Sequence, residues 1–179
     1  MLSQFHPQRV CKYCPRCGSA QYNPHSSKSQ KCDECGFVFY TNAAGAVAAI
    51  ITNTKGEILL TTRAFEPGKG LLDLPGGFID PGESVEQALH REISEELNIQ
   101  IVSAQYFGSF PNEYVYGGIL YYTIDLVYEC TIADMSTIQA ADDVSGFGFY
   151  KPSVEIIEQI GLHSIKKIIA AYCEKYNQL

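Results

Sequence analysis

The stretch Gly76–Ile99, with the sequence GGFIDPGESVEQALHREISEELNI, decides the fold of this chain. Its second half places Glu92, Glu95 and Glu96 within five residues. On an α-helix these three side chains fall within an arc of about 100°, and like charges at this spacing repel each other. Something other than the helix itself must therefore compensate the repulsion.

The helix is predicted to begin after Ser84, a favourable N-cap because Gln87 follows three residues later. Apolar residues then recur at helical spacing and predict a buried stripe made of Val85, Ala88, Leu89, Ile93 and Leu97. The three glutamates flank this stripe instead of lying opposite it. Packing of the stripe is therefore expected to remove part of their hydration.

A cation site explains the acidic cluster better than a solvated helix face does. Glu83 adds a fourth carboxylate at the helix entry, a Gly-Gly loop precedes it, and Arg91 is the one basic residue among the acids. One arginine cannot neutralise four carboxylates, whereas divalent cations can, and oxygen ligands suit Mg²⁺ or Mn²⁺. Because Mg²⁺ is usually held by one or two carboxylates plus substrate phosphates, a phosphoanhydride substrate is indicated.

Composition and charge restrict the number of domains, the class of ligand and the expected location of the protein. The 179 residues are 46% hydrophobic, enough for one core and a small appendage. The net charge of −7 divides into +3 over residues 1–35 and −10 over the rest, which argues against a bulk nucleic-acid binder. No apolar run is long enough to span a bilayer and no signal peptide is evident, so we expect a cytoplasmic protein without membrane contact.

The first segment contains two C-x2-C-G motifs. A soft set of four thiolates favours tetrahedral Zn²⁺, and the glycine after each pair permits the turn around sulfur. We therefore predict a structural zinc ribbon over residues 1–40, with the ligands Cys14, Cys17, Cys32 and Cys35. Cys11 could also pair with Cys14, but it lacks the trailing glycine of the other pairs. Cys130 and Cys173 are expected in the core.

The remaining chain, residues 41–179, is predicted to form one α+β domain. AVAAIITN and ILLTTR are expected to form a hairpin ahead of the Gly76–Ile99 stretch. Strands QYFGSF and GGILYYTIDLVYECTI around a loop PNEYVYGG, a strand GFGFYKP and C-terminal helices follow it. This order indicates a mixed sheet sandwiched between helices.

The central stretch resembles the Nudix box, G-x5-E-x7-R-E-U-x-E-E-x-G-U, where U is aliphatic. It begins at Gly77, continues through Glu83 and runs from Arg91 to Ile99, with Asn98 in place of the last glycine. Asn is the next most tolerant residue of the left-handed conformation at a helix C-terminus. The chain is thus similar to Nudix hydrolases, which implies an α/β/α sandwich, and its ribbon resembles that of NADH pyrophosphatases of the same superfamily.

The resemblance implies roles for individual residues. Glu92, Glu95 and Glu96 match metal-binding glutamates, and Glu92 is in some members the base that activates water. Gly77 matches a residue whose carbonyl ligates the metal. Glu83 and Arg91 match positions that brace the loop and helix. Asp143, with Asp142 beside it, is a candidate for a further acid from a late loop, and an Asx turn before a strand is the alternative.

The predicted reaction is metal-dependent hydrolysis of a diphosphate in NADH, ADP-ribose or a diadenosine polyphosphate. The sequence SFPNEY departs from the SQPWPFP segment of NADH pyrophosphatases, so dinucleotide specificity is left open. Tyr114 and Tyr116 are predicted to stack on a nucleobase or to form a tyrosine-rich sheet edge.

A nucleotide- or RNA-binding module using the ribbon is the alternative function. Capped RNA ends are the one nucleic-acid partner expected, and the resemblance suggests a homodimer.

Overall fold

The computed structural model describes residues 3–177. They divide into two compact units. The first unit extends to Ala43 and includes Glu113–Tyr122, and the second contains Ala44–Asn112 and the chain from Thr123 onward. The division predicted from the sequence, at residues 40 and 41, stays a prediction. No helix in the described part of the chain is both long and apolar enough to cross a membrane.

The first unit is built on a three-stranded antiparallel sheet. A short helix α1 (Pro7–Val10) precedes strands β1 (Tyr22–Ser26), β2 (Ser29–Cys32) and β3 (Val38–Tyr40), which lie in that order in the sheet. Its small core consists of Cys14, Tyr22 and Cys32, with Cys35 and Phe37 packed against them. So small an apolar core contributes little of the free energy of folding of this segment.

The second unit begins with strands β4 (Ala44–Ile51), β5 (Ile58–Arg63) and β6 (Leu72–Asp73). The predicted β4–β5 hairpin is wrong: the two strands meet only at the bridge between Thr52 and Ile58. Strand β4 pairs in parallel with β8 (Ile119–Ile132), and β5 lies between β6 and β9 (Val144–Tyr150). Strand β5 is largely buried and takes the central position of its sheet, whereas β4 is the edge strand of a sheet in which β8 is central.

Four of the apolar strand residues show how the sandwich forms. Ile50 and Leu60 face a cluster that includes helix α4 (His163–Tyr176), whereas Ile51 and Leu59 face a cluster that includes helix α2 (Val85–Leu97). Successive side chains of a strand point to opposite faces, so each strand contributes to both cores. The predicted mixed sheet between helices is therefore confirmed. A short helix α3 (Val154–Glu158) precedes α4.

The predicted PNEYVYGG loop is also wrong. Strand β7 (Ile101–Tyr116) continues through most of it, and only Gly117 and Gly118 separate β7 from β8. Both glycines have a positive φ, of 57° and 80°, which suits a two-residue hairpin turn. Alternating aromatic and β-branched residues stabilise the extended hairpin, so the tyrosines of this segment lie on strands.

Candidate functional site

Helix α2 begins and ends as its sequence predicts. The Ser84 hydroxyl oxygen caps it by accepting a hydrogen bond from the Gln87 N–H, and the Gln87 side-chain oxygen accepts one from the Ser84 N–H. Asn98 ends it in the left-handed conformation, with φ at 54°. Ala88, Leu89, Ile93 and Leu97 are fully buried, and Val85 packs against them. This anchoring fixes the direction in which the glutamates project.

The loop before the helix approaches a neighbouring strand so closely that it requires glycine. Gly76 has a φ of 143°, and a Cβ at this position would lie 2.1 Å from the Val47 carbonyl oxygen. Its N–H donates to Oε2 of Glu96 at 2.9 Å. At Gly77, a Cβ would lie 2.6 Å from the Glu92 carboxylate. The two glycines therefore let two carboxylates reach the backbone.

We expect Gly76→Ala to destabilise the second unit by about 3 kcal/mol, because the new methyl collides with backbone at a strained φ. Gly70→Ala is the matched control, since Gly70 also has a positive φ, of 81°, but a Cβ there meets open space. Urea unfolding monitored by circular dichroism measures both. Equal losses in the two variants would contradict the close packing of Gly76 on Val47.

Arg91 ties the loop to the helix. Its Nε and Nη2 donate to the two carboxylate oxygens of Glu83, both at 2.9 Å, and Nη2 also donates to the Phe78 carbonyl at 2.9 Å. Its Nη1 donates to Glu92 at 2.8 Å and to Glu95 at 3.1 Å. The hydrogen bonds from Arg91 hold the pKa of Glu83 below its usual range. Arg91 and Glu83 thus link the loop to the helix, and the bracing role predicted for them stays a prediction.

Glu96 is the most perturbed acid of the cluster. Its side chain is buried, and burial raises its pKa to about 9; Asp143 and Glu92 raise it further, while the Gly76 N–H opposes the shift. Burial also raises the pKa of Glu92, against the effect of Arg91. Desolvation and neighbouring like charge both disfavour a carboxylate anion. These acids therefore ionise readily only when a cation compensates them.

Asp143 lies beside Glu96, as the late-loop hypothesis requires. Both line one cleft of the second unit with Gly76, Arg63 and Asp73. The Asp143 carbonyl accepts a hydrogen bond from the Ala64 N–H at 2.9 Å, which holds the turn in position. Asp142, the neighbouring residue, takes a left-handed conformation with φ at 54°. The turn thus directs Asp143 towards the glutamates.

Sequence reasoning missed two residues of this cleft. The guanidinium of Arg63 pairs with Asp73 through Nη1 and donates from Nε to the Pro67 carbonyl at 2.6 Å. Burial raises the pKa of Asp73 to about 6, although Arg63 opposes the shift. A basic residue ending an apolar strand and an acid inside an apolar run could have revealed the pair, because buried charges are normally paired.

Oxygen donors for a divalent cation are present at this cleft. After burial, Asp143 is among the groups that raise the pKa of both Glu92 and Glu96, and Glu92 also raises the pKa of Glu96, as expected of carboxylates near one another. Glu95 is half-exposed and bound to Arg91. The Gly77 carbonyl accepts a hydrogen bond from the Val47 N–H at 2.8 Å, and its second lone pair can still serve a metal.

The cysteine quartet is brought together as predicted. Within residues 3–177, Cys14, Cys17, Cys32 and Cys35 form the one group of three or more candidate ligands whose atoms all lie within 4.8 Å of one another. Gly18 and Gly36 have φ values of 76° and 71°, and their N–H groups donate to the Cys14 and Cys32 carbonyls. The knuckle turns are therefore formed, and four thiolates in this arrangement suit Zn²⁺.

The other three cysteines lie outside the quartet, and the two predicted base-stacking tyrosines lie on strand β7. Cys11 is exposed and outside the quartet, whereas Cys130 and Cys173 are buried in the second unit. Tyr114 and Tyr116 belong to the first unit, and the Tyr114 ring stacks on Tyr121 at 6.0 Å between centroids. Their predicted role in binding a base stays a prediction.

Comparisons with known proteins agree with this architecture. Residues 42–160 match the family model of the NUDIX domain. The chain is 33% identical over 119 residues to the NAD-capped RNA hydrolase NudC of Haemophilus influenzae strain PittGG, covering 63% of this chain and 44% of that protein. For NudC of Vibrio vulnificus the identity is 28% over 106 residues, covering 59% and 40%. The chain thus spans less than half the length of these curated relatives.

Solved structures show the same fold. The NUDIX domain of Shewanella oneidensis NrtR, in complex with ADP ribose, matches with a TM-score of 0.62 at 21% identity, over 76% of this chain and 90% of that one. A NUDIX hydrolase from Nitrosomonas europaea matches with a TM-score of 0.60 at 19% identity, over 93% and 94%.

Proposed function

Because the chain belongs to the NUDIX family, we propose that it hydrolyses a diphosphate bond in a nucleoside diphosphate linked to a second moiety. The observation that carries this proposal is Glu96, a buried acid whose pKa is raised to about 9, beside Asp143 and the Gly76 N–H. A carboxylate in that environment is maintained as an anion by a bound cation, and a cation at a cleft suits a diphosphate.

In this proposal Glu92, Glu95, Glu96 and the Gly77 carbonyl hold Mg²⁺ or Mn²⁺. Bound metal would offset charge on the diphosphate and lower the pKa of a coordinated water. Glu83 and Arg91 are positioning residues, because their hydrogen bonds orient Glu92 and Glu95 and join the loop to the helix. Asp143 contributes a further anionic oxygen at the cleft.

Glu92 is our proposed general base. Only 13% of its side chain is exposed, and this burial raises its pKa, which makes it a better proton acceptor than a solvated glutamate. Glu92 takes a proton from water, and the water oxygen forms a bond to phosphorus. The P–O bond of the anhydride breaks, and its electron pair leaves with the departing phosphate.

Arg63 is our proposed contact for the diphosphate. It is the basic residue among those described as lining the cleft, and 24% of its side chain is exposed there. A guanidinium recognises phosphate oxygens with directed hydrogen bonds. Asp73 and the Pro67 carbonyl hold Arg63 in one orientation.

We expect Arg63→Gln to raise KM about tenfold with a smaller change in kcat, since one charge-assisted hydrogen bond to the substrate is lost. Asp73→Asn is the control, because it removes the same ion pair but leaves the guanidinium in place. Steady-state kinetics on the best substrate distinguish the two variants. If Asp73→Asn raises KM as much as Arg63→Gln, the pair is structural and Arg63 does not bind the diphosphate.

The names of the similar proteins indicate which substrates should be tested first. NudC proteins are named as NAD-capped RNA hydrolases and the NrtR domain was solved with ADP ribose, so NADH, ADP-ribose, a diadenosine polyphosphate and an NAD-capped RNA are tested first. Each is incubated with Mg²⁺ or Mn²⁺ and its products are separated by chromatography. We expect AMP, or a 5′-phosphorylated RNA, from at least one of them. Absence of turnover with all four would overturn the proposal.

A further inference from the structure

The first unit contains a cavity of about 290 Å³ that the proposed hydrolysis does not use. Its volume is close to the lower end of the range for small-molecule sites. Apolar surface forms most of its wall. The lining residues are His6, Ser27, Lys28, Thr41, Ala43 and Tyr122.

His6 lines this cavity, and two contacts hold its ring in place. Its side chain is buried, and Nδ1 accepts a hydrogen bond from the Gln8 N–H at 3.2 Å. A neutral imidazole that accepts at Nδ1 carries its proton on Nε2. The ring also meets Tyr122 edge to face, with 6.1 Å between centroids. Packing thus fixes the ring, and Nε2–H is a donor of known position.

The charge at the cavity favours an anionic ligand. Lys28 is exposed in the turn between β1 and β2, and its carbonyl accepts a hydrogen bond from the Thr41 N–H at 2.8 Å. Among the lining residues that the structure describes, none is acidic. Glu113 lies near enough to add to the effect of burial in raising the pKa of Tyr122. The phenol of Tyr122 is therefore neutral, and its ring is an uncharged stacking surface.

We propose that this cavity binds a nucleotide. The base stacks on Tyr122 beside Ala43, and His6 Nε2–H donates to an acceptor atom on the base edge. The Lys28 ammonium pairs with the phosphate, and the Thr41 hydroxyl is within the same wall. The ligand is either a free nucleotide or the nucleotide of an RNA strand, since both present the same base and phosphate.

The test uses the full zinc-loaded chain and follows amide signals by NMR while AMP is added. AMP has no anhydride bond, so a diphosphate hydrolase cannot consume it. We expect saturable shifts at Lys28, Thr41 and Tyr122, and about tenfold weaker binding in Lys28→Gln. Lys31→Gln is the matched control, because Lys31 is an exposed lysine of β2 that does not line the cavity.

A second variant distinguishes loss of AMP binding from loss of the folded structure. His6→Asn keeps a side chain that can cap the Gln8 N–H but removes the imidazole, so the spectrum should stay folded while AMP affinity falls. Shifts confined to Gly76 and Glu96, equal weakening by Lys31→Gln, or the same shifts with inorganic phosphate alone would each overturn the proposal. Binding of hexaadenylate shows whether the ligand is an RNA strand or a free nucleotide. Tighter binding of hexaadenylate than of AMP indicates an RNA strand, whereas equal affinity for the two indicates a free nucleotide.

Discussion

Glu96→Gln is expected to lower metal-dependent hydrolysis by at least about a hundredfold while the chain stays folded. Mutation of residues that merely support a metal ligand already causes losses of about 10- to 100-fold, so loss of a ligand should exceed them. The amide oxygen can still accept the hydrogen bond from Gly76 that Glu96 accepts at 2.9 Å. The amide N–H₂ can donate to Asp143. The variant therefore removes the charge and keeps the packing.

The same variant should be more stable than the parent in magnesium-free buffer at pH 8, by about 2 kcal/mol. The pKa of Glu96 is raised from 4.5 to about 9 in the folded chain. Between those values the folded chain holds a proton that the unfolded chain has released, so this group's stabilisation is complete below pH 4.5. It is lost as the pH rises towards 9. Glutamine does not titrate, so the two proteins should converge near pH 5.

Thermal melts across this pH range, with and without Mg²⁺, measure the effect. Mg²⁺ should raise the melting temperature of the parent and leave that of Glu96→Gln unchanged. Glu86→Gln is the control, since Glu86 is exposed on the same helix, and it should keep both turnover and the pH dependence. A parent and a Glu96→Gln protein that melt alike at pH 8 would show that folding does not raise the pKa of Glu96.

Cys32→Ser should abolish zinc binding and unfold the first unit. Structural Zn²⁺ contributes about 10–16 kcal/mol to small domains of this kind, and the apolar core of the first unit is too small to replace it. Cys32 is fully buried within the quartet. Mass spectrometry measures the zinc content, and limited proteolysis shows whether the first unit is unfolded.

Cys11→Ser is the matched control for the zinc experiment. Cys11 is an exposed thiol outside the quartet, so this variant should keep the zinc content and protease resistance of the parent. The reverse pattern, with zinc retained by Cys32→Ser and lost by Cys11→Ser, would assign the C11-x2-C14 pair as ligands instead.

Local rules were sufficient for the parts of the fold that short-range chemistry determines. The Ser84 cap, the Asn98 terminus and the φ > 0 glycines after each cysteine pair are each specified by residues within one turn. Local rules did not predict the partner of β4, because β8 lies more than seventy residues away in the sequence. In addition, apolar strands buried on both faces lack the period-2 pattern of polar and apolar residues. Adjacency in sequence therefore suggested a hairpin that the sheets do not contain.

In the candidate site, too, some residues are predictable from local sequence and others are not. The box glutamates and Arg91 follow from one continuous motif, but Arg63 and Asp73 lie on two strands that meet only through the β5–β6 pairing. A sequence without pairing information cannot bring them to Glu96. Residues 111–118 were predicted to form a loop, and strand β7 continues through most of them, whereas the predicted stacking of Tyr114 and Tyr116 on a base stays a prediction.

The most direct test is the hydrolysis of the best substrate of the panel by the parent chain and by Glu96→Gln, assayed in parallel. We expect the two products of diphosphate cleavage (AMP and reduced nicotinamide mononucleotide, if the substrate is NADH) to appear together with the parent, only when Mg²⁺ or Mn²⁺ is present, and at least about a hundredfold more slowly with the variant. Equal product formation by the two proteins, or release that is independent of metal, would contradict a catalytic site built on these glutamates.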